Sequence, residues 1–198
     1  MNSDSVGYTS VCAGDASFIR ALPIPLASDL EVVAKEAEIK HEDLPTSDVF
    51  AVDKRPKNLG FESAVAAGIV LFVGSWFAKK LLDEIYELKL KPAIRRVIQK
   101  ADEITVFRAK KRFLVFLVGV YYRDKEKLVL VALKTKDKAV LVRDLERIRD
   151  VHTSAYRKLT RPEYNRPLHL YVVENGQVNL EPIQLNNMQE AYEQVRHG

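Results

Sequence analysis

Between Ala64 and Ala78 fifteen consecutive residues carry no charge. So apolar a stretch must be surrounded either by lipid or by the rest of its own chain, and the two alternatives give different molecules. As a helix, fifteen residues would rise about 22 Å, short of a hydrocarbon layer roughly 30 Å thick. Reaching Leu82 requires Lys79 and Lys80 to snorkel toward headgroups, and Gly68, Gly74 and Ser75 weaken insertion further. Beyond Ala78, Leu81, Leu82, Ile85, Leu88 and Leu90 alternate with Asp83, Glu84, Glu87 and Lys89 in helical register, as in a helix leaving a core for its surface. The pattern predicts one long helix from after Gly60 to Lys91, buried in protein over its uncharged part and ended or kinked by Pro92. The competing reading is a single membrane span over residues 64–82. Lys79, Lys80, Lys89, Lys91, Arg95 and Arg96 crowd its C-terminal flank and would hold the following domain in the cytoplasm.

At 198 residues, 47% of them apolar, the chain can bury one core of useful size. Residues 1–60 read as an N-terminal extension and residues 61–198 as an α+β domain. Within the extension, Ser28 and Glu31 have capping-box spacing, which predicts a short helix from about Asp29 to His41. From Arg112 the period shortens: "FLVFLVGVYY", "RDKEK" and "LVLVALK" read as a hairpin of two buried strands. Leu141, Leu145, Ile148, His152, Ala155 and Leu159 then form one stripe of a helix. "LHLYVV", "ENGQ" and "VNLEPIQL" suggest a second hairpin, with Asn175-Gly176 suited to a type I′ turn and Pro182 confining the last strand to an edge or bulge. Asn187 and Glu190 are capping candidates for a C-terminal helix. The expected fold is α+β: a long central helix packed with a mostly antiparallel sheet built from two hairpins separated by a helix.

Chemistry-bearing patterns are sparse. Cys12 is the single cysteine, and the N-terminus has neither the basic region nor the apolar run of a secretion signal, so a reducing, cytoplasmic setting is expected. His41, His152, His169 and His197 are scattered and match no zinc-ligand spacing. His152 reads as a core or rim histidine, and His169, between Leu168 and Leu170, is expected to face away from the core. Asp83, Glu84 and Glu87 read as the solvated face of a helix rather than a nuclease carboxylate cluster. No glycine-rich phosphate loop is present. Neither a metal nor a cofactor is expected, and the protein is expected not to be an enzyme.

Charge is the informative pattern. Residues 101–166 hold 17 basic and 9 acidic side chains, whereas residues 1–60 hold 6 basic and 10 acidic ones and residues 167–198 hold 1 and 4. Arg108, Lys110, Lys111 and Arg112, with Arg143, Arg147 and Arg157 on the polar side of the later helix, are the candidate partner-binding surface. The expected function is binding of an acidic protein partner by an inhibitor, immunity protein or adaptor. The alternatives are the membrane-anchored protein described above and a nucleic-acid-binding module in which Phe113, Phe116, Tyr121 and Tyr122 stack on bases.

Overall fold

The computed structural model describes residues 7–13, 31, 32, 35, 40, 41, 43, 45, 47–50, 64–73, 91, 92, 95, 113–135 and 138–197. Its centre is the stretch that the sequence marks as apolar, in a conformation other than the expected one. Ala64–Val73 is a β-strand, β3, and not the opening of a long helix. Strand is the better solution because Val65, Ile69, Val70 and Val73 are β-branched and are accommodated more easily on a pleated surface than against a helical turn. A strand buried on both faces loses its apolar–polar alternation, so its sequence cannot be told from a buried helix by period alone. Residues 74–90 of the expected helix lie outside the described residues; Lys91, Pro92 and Arg95 are helical. Among the described residues no helix is long and apolar enough to cross a membrane.

β3 lies between β1 (Gly7–Ala13), which it meets antiparallel, and β4 (Phe113–Tyr122), which it meets parallel along its whole length from Ala64↔Phe113 to Val73↔Tyr122. A hairpin through residues 123–126 leads to β5 (Lys127–Thr135), antiparallel to β4 as expected. Helix α1 (Lys138–Lys158) then carries the chain back across the sheet to β6 (Leu168–Glu174). Because a helix returns the chain to the end at which the first strand began, β5 and β6 are parallel. With β2 (Lys40–His41) beside β1, and β7 (Gln177–Val178) and β8 (Ile183–Leu185) beside β6, the sheet has eight strands among the described residues. The order is β2-β1-β3-β4-β5-β6-β7, with β8 also on β6. The α+β class stands, but the sheet is mixed rather than mostly antiparallel. The difference has two sources: with Ala64–Val73 read as helix its parallel pairing with β4 goes unseen, and counting hairpins alone gives the helical crossover no say in the direction of β6. Two strands come from the segment expected as an extension, and Glu31, Val32 and Lys35 there are helical.

Both faces of the sheet are covered. On one, Val70, Phe72, Leu117, Tyr121, Leu130 and Leu170 pack with Val49 and Phe50 of a 3₁₀ turn (Asp48–Phe50) and with helix α2 (Met188–His197) through Met188, Ala191 and Val195. Phe50, Phe72 and Tyr121 form a mutual ring cluster with centroids 5.3 to 6.1 Å apart. The Asn187 side chain accepts the Glu190 amide at 2.9 Å, and Glu190 in turn accepts the Asn186 amide at 2.8 Å, closing the start of α2. On the other face Ile69, Leu71, Val118, Val120, Val131 and Tyr171 are buried, as are Leu145, Ile148, Val151, Ala155 and Leu159 of α1. His169 belongs to this second face and is fully buried. It was expected to point outward because one covered face would leave it in water; α1 covers that side.

Gly68 lies opposite Leu117 in the β3–β4 pair. A Cβ added there would lie 2.6 Å from the Leu117 Cβ and nearer still to the Leu117 carbonyl oxygen. Gly68→Ala is therefore expected to destabilise the fold by about 1 to 3 kcal/mol, as overpacking does. A urea titration checks it: the midpoint should fall, and an unchanged midpoint would contradict the close approach.

Candidate functional site

The face of α1 away from the sheet determines what the second layer offers to other molecules. At about 100° per residue, Arg143, Arg147 and Arg157 fall within an arc of about 80° opposite the stripe of Leu145, Ile148 and Leu159. Arg143 and Arg147 are adjacent turns; Arg157 is further along the helix by about 21 Å. All three are exposed.

Because α1 runs antiparallel to β6, its first turns sit beside the β6–β7 turn. The two enclose a cleft of about 450 Å³ lined by Arg143, Asp144, Glu146, Arg147, Asn175 and Gly176. Asn175 and Gly176 have φ of 53° and 79°, the left-handed pair that a type I′ turn requires. That conformation aims the Gly176 amide at α1, where Asp144 Oδ2 accepts it at 3.0 Å. Asp144 is only 1% exposed, an unusual place for a carboxylate. Its other oxygen, Oδ1, has no hydrogen bond, only the Arg143 Nε at 3.7 Å.

Charge around the cleft is unevenly balanced. Glu146 is engaged twice, by Lys91 Nζ and by Arg95 Nη2 at 2.7 Å. Asp144 offsets part of Arg143, while Arg147 makes no ion pair among the described residues. Positive charge therefore remains where α1 meets the turn. At the other end of the helix Lys158 is paired: its Nζ donates to Glu181 at 2.6 Å, as does the Tyr164 hydroxyl at 2.6 Å. Those bonds hold the Glu181 carboxyl below its ordinary range, Lys158 being the larger cause, and the bond to Glu181 raises the Tyr164 hydroxyl.

The buried layer beneath α1 is polar in places. The ring nitrogens of His152 and His169 and the hydroxyls of Tyr122 and Tyr171 have no hydrogen bond of normal geometry. Burial raises both hydroxyls well above the ordinary tyrosine range. Burial likewise lowers His152 to about 4, only partly opposed by the Val118 backbone. His169 is lowered to about 4 by burial and by the nearby Lys127 charge. Both histidines are therefore neutral near pH 7. Among the described residues no three His, Cys, Asp or Glu side chains converge to hold a metal ion.

The structure brings together Arg143 and Arg147 of the expected surface and sets Arg157 apart from them. Arg108, Lys110, Lys111 and Arg112 lie outside the described residues. The sequence reading missed Asp144, Glu146, Lys91 and Arg95. Asp144 has a faint signal, since it is an acidic residue on the flank of an apolar stripe; its meeting with Gly176, 32 residues later, has none. No family model, curated protein or solved structure matches this chain.

His152 carries a pH prediction with a definite sign. Its ordinary value of 6.5 applies to the unfolded chain, and the folded value is about 4. The unfolded state thus binds the extra proton between those limits. Stability is fully present above pH 6.5 and falls as pH drops toward 4, by on the order of 3 kcal/mol at most. His169 acts in the same direction. Urea midpoints measured across this range should decline with acid, and His152→Leu should remove about half of the decline. A slope equal to that of the unaltered chain would contradict the assignment.

Proposed function

We propose that this chain is a non-enzymatic binding protein that recognises an acidic protein partner through the outer face of α1, as an inhibitor, immunity protein or adaptor does. The observation that carries this reading is the cleft at the start of α1, where the Arg147 guanidinium is exposed and makes no ion pair among the described residues, while Glu146 and one oxygen of Asp144 are already engaged. An unneutralised arginine beside a concave surface attracts carboxylates from a distance and can grip them bidentately on arrival. Arg157 extends the same stripe toward the far end of the helix. The segment from Arg108 to Arg112 adds four cations in sequence, which would enlarge the positive field of the middle of the chain.

The nucleic-acid reading draws less support, because it needs exposed rings. Phe116, Tyr121 and Tyr122 are each at most 8% exposed, so bases have no stacking platform on those rings.

Affinity capture from source cells with the full chain should retain an acidic protein at low salt. Arg147→Glu combined with Arg157→Glu should weaken that capture by roughly tenfold or more while leaving the fold intact, since both side chains are exposed. Retention of the same partner with unchanged affinity by the doubly reversed chain would overturn the proposal.

A further inference from the structure

The β6–β7 turn that borders the cleft carries a reactive dipeptide. Asn175-Gly176 is the one asparagine–glycine pair in the chain, every other asparagine being followed by a residue with a side chain. The side-chain amide of an asparagine is open to attack by the backbone nitrogen of the next residue, and with no Cβ at position 176 that approach is unobstructed. As the bond from Gly176 N to Asn175 Cγ forms, the bond from Cγ to the side-chain nitrogen breaks, and ammonia departs with the proton from the Gly176 amide. Water then opens the succinimide ring at either carbonyl. Breaking the new N–Cγ bond yields aspartate; breaking the original peptide bond yields isoaspartate, with the chain rerouted through Cγ. Asn175 is exposed and lines the cleft together with Arg143 and Arg147. We infer that Asn175 is a deamidation site restrained by its turn, and that its conversion to a carboxylate switches off the cleft; the second half rests on the acidic-partner reading above.

The fold sets the rate. Before the ring can close, the Gly176 amide must lose its proton and turn toward the Asn175 side chain. In the turn that amide is donated to Asp144 Oδ2 at 3.0 Å, and φ values of 53° and 79° hold the peptide plane. A carboxylate against the nitrogen also opposes the negative charge that attack requires. The reaction therefore proceeds through local opening of the turn and not from its closed state. The product acts through charge and through shape. Aspartate at position 175 adds a negative group beside Arg143 and Arg147 and lowers the attraction for an acidic partner. Isoaspartate in addition puts a methylene into the backbone, which a two-residue type I′ turn does not accommodate.

The test uses the full chain, held in mildly alkaline buffer with and without urea and sampled over weeks. Digestion and mass spectrometry follow the peptide that spans Asn175, where conversion adds one mass unit. In urea Asn175 should convert faster than every other asparagine. The folded chain should convert at the same position, slower by roughly tenfold or more, as the loss of a charge-assisted hydrogen bond implies. A folded chain that converts as fast as the urea sample, or not at all, would overturn the inference, as would another asparagine leading in urea. The switch is read by calorimetry at low salt with a poly-aspartate peptide as probe. Asn175→Asp, whose Asp-Gly pair suits the same turn, should bind the probe about fivefold or more weakly than the unaltered chain. Asn179→Asp adds the same charge outside the cleft lining and should bind nearly as the unaltered chain does. Equal binding by the two variants, or no binding by the unaltered chain, overturns the switch. The partner's response to Arg147→Glu with Arg157→Glu decides the broader reading separately.

Discussion

The parallel pairing of β3 with β4 is the constraint on which the rest of the structure depends. Ten residues of each strand are in register, and Ile69–Val73 and Val115–Val118 are almost wholly removed from water. Strands of this kind need cover on both faces. Among the described residues one cover is α2 with the 3₁₀ turn and the other is α1. Each cover follows from the hydrophobicity of the strand pair, and neither has an independent reason to fold, because amphipathic helices of this length draw most of their stability from packing.

The same crossover that covers the sheet also creates the surface with functional interest. α1 must begin near the end of β5 and return alongside β6, which places its first turn next to the β6–β7 turn. There Asp144 finds the Gly176 amide, and Lys127 performs the matching role at the opposite end by donating to the Leu159 carbonyl at 3.0 Å and to Tyr164. The helix is thereby fixed at both ends by polar contacts, with Leu145, Ile148 and Ala155 setting its roll. Arg143 and Arg147 are presented from a braced element rather than from a loop, which lowers the entropy lost when a partner orders them.

Much of the local structure was legible in the sequence. The β4–β5 hairpin, α1 and the Asn175-Gly176 turn each follow from short-range pattern, where period and turn chemistry agree. The errors share a physical origin. Ala64–Val73 reads as the start of a helix because it runs without a break into an amphipathic stretch, although the β-branched residues at positions 65, 69, 70 and 73 favour a strand. His169 was placed outside because alternation implies a wet face only when one side of the sheet is bare. The candidate site was half legible: arginines at helical spacing show in the sequence, but a carboxylate meeting a turn 32 residues away is a product of topology.

The outer side of β6 is divided. β8 pairs with Leu168, His169 and Leu170, β7 pairs with Val173 and Glu174, and Pro182 stands in the chain between the two. Neither short strand offers another chain a long row of free amides and carbonyls, and the proline ring removes one donor from the region altogether. A sheet with so apolar a middle is at risk of growing sideways into fibrils. At this border it ends in fragments too short to template the next molecule.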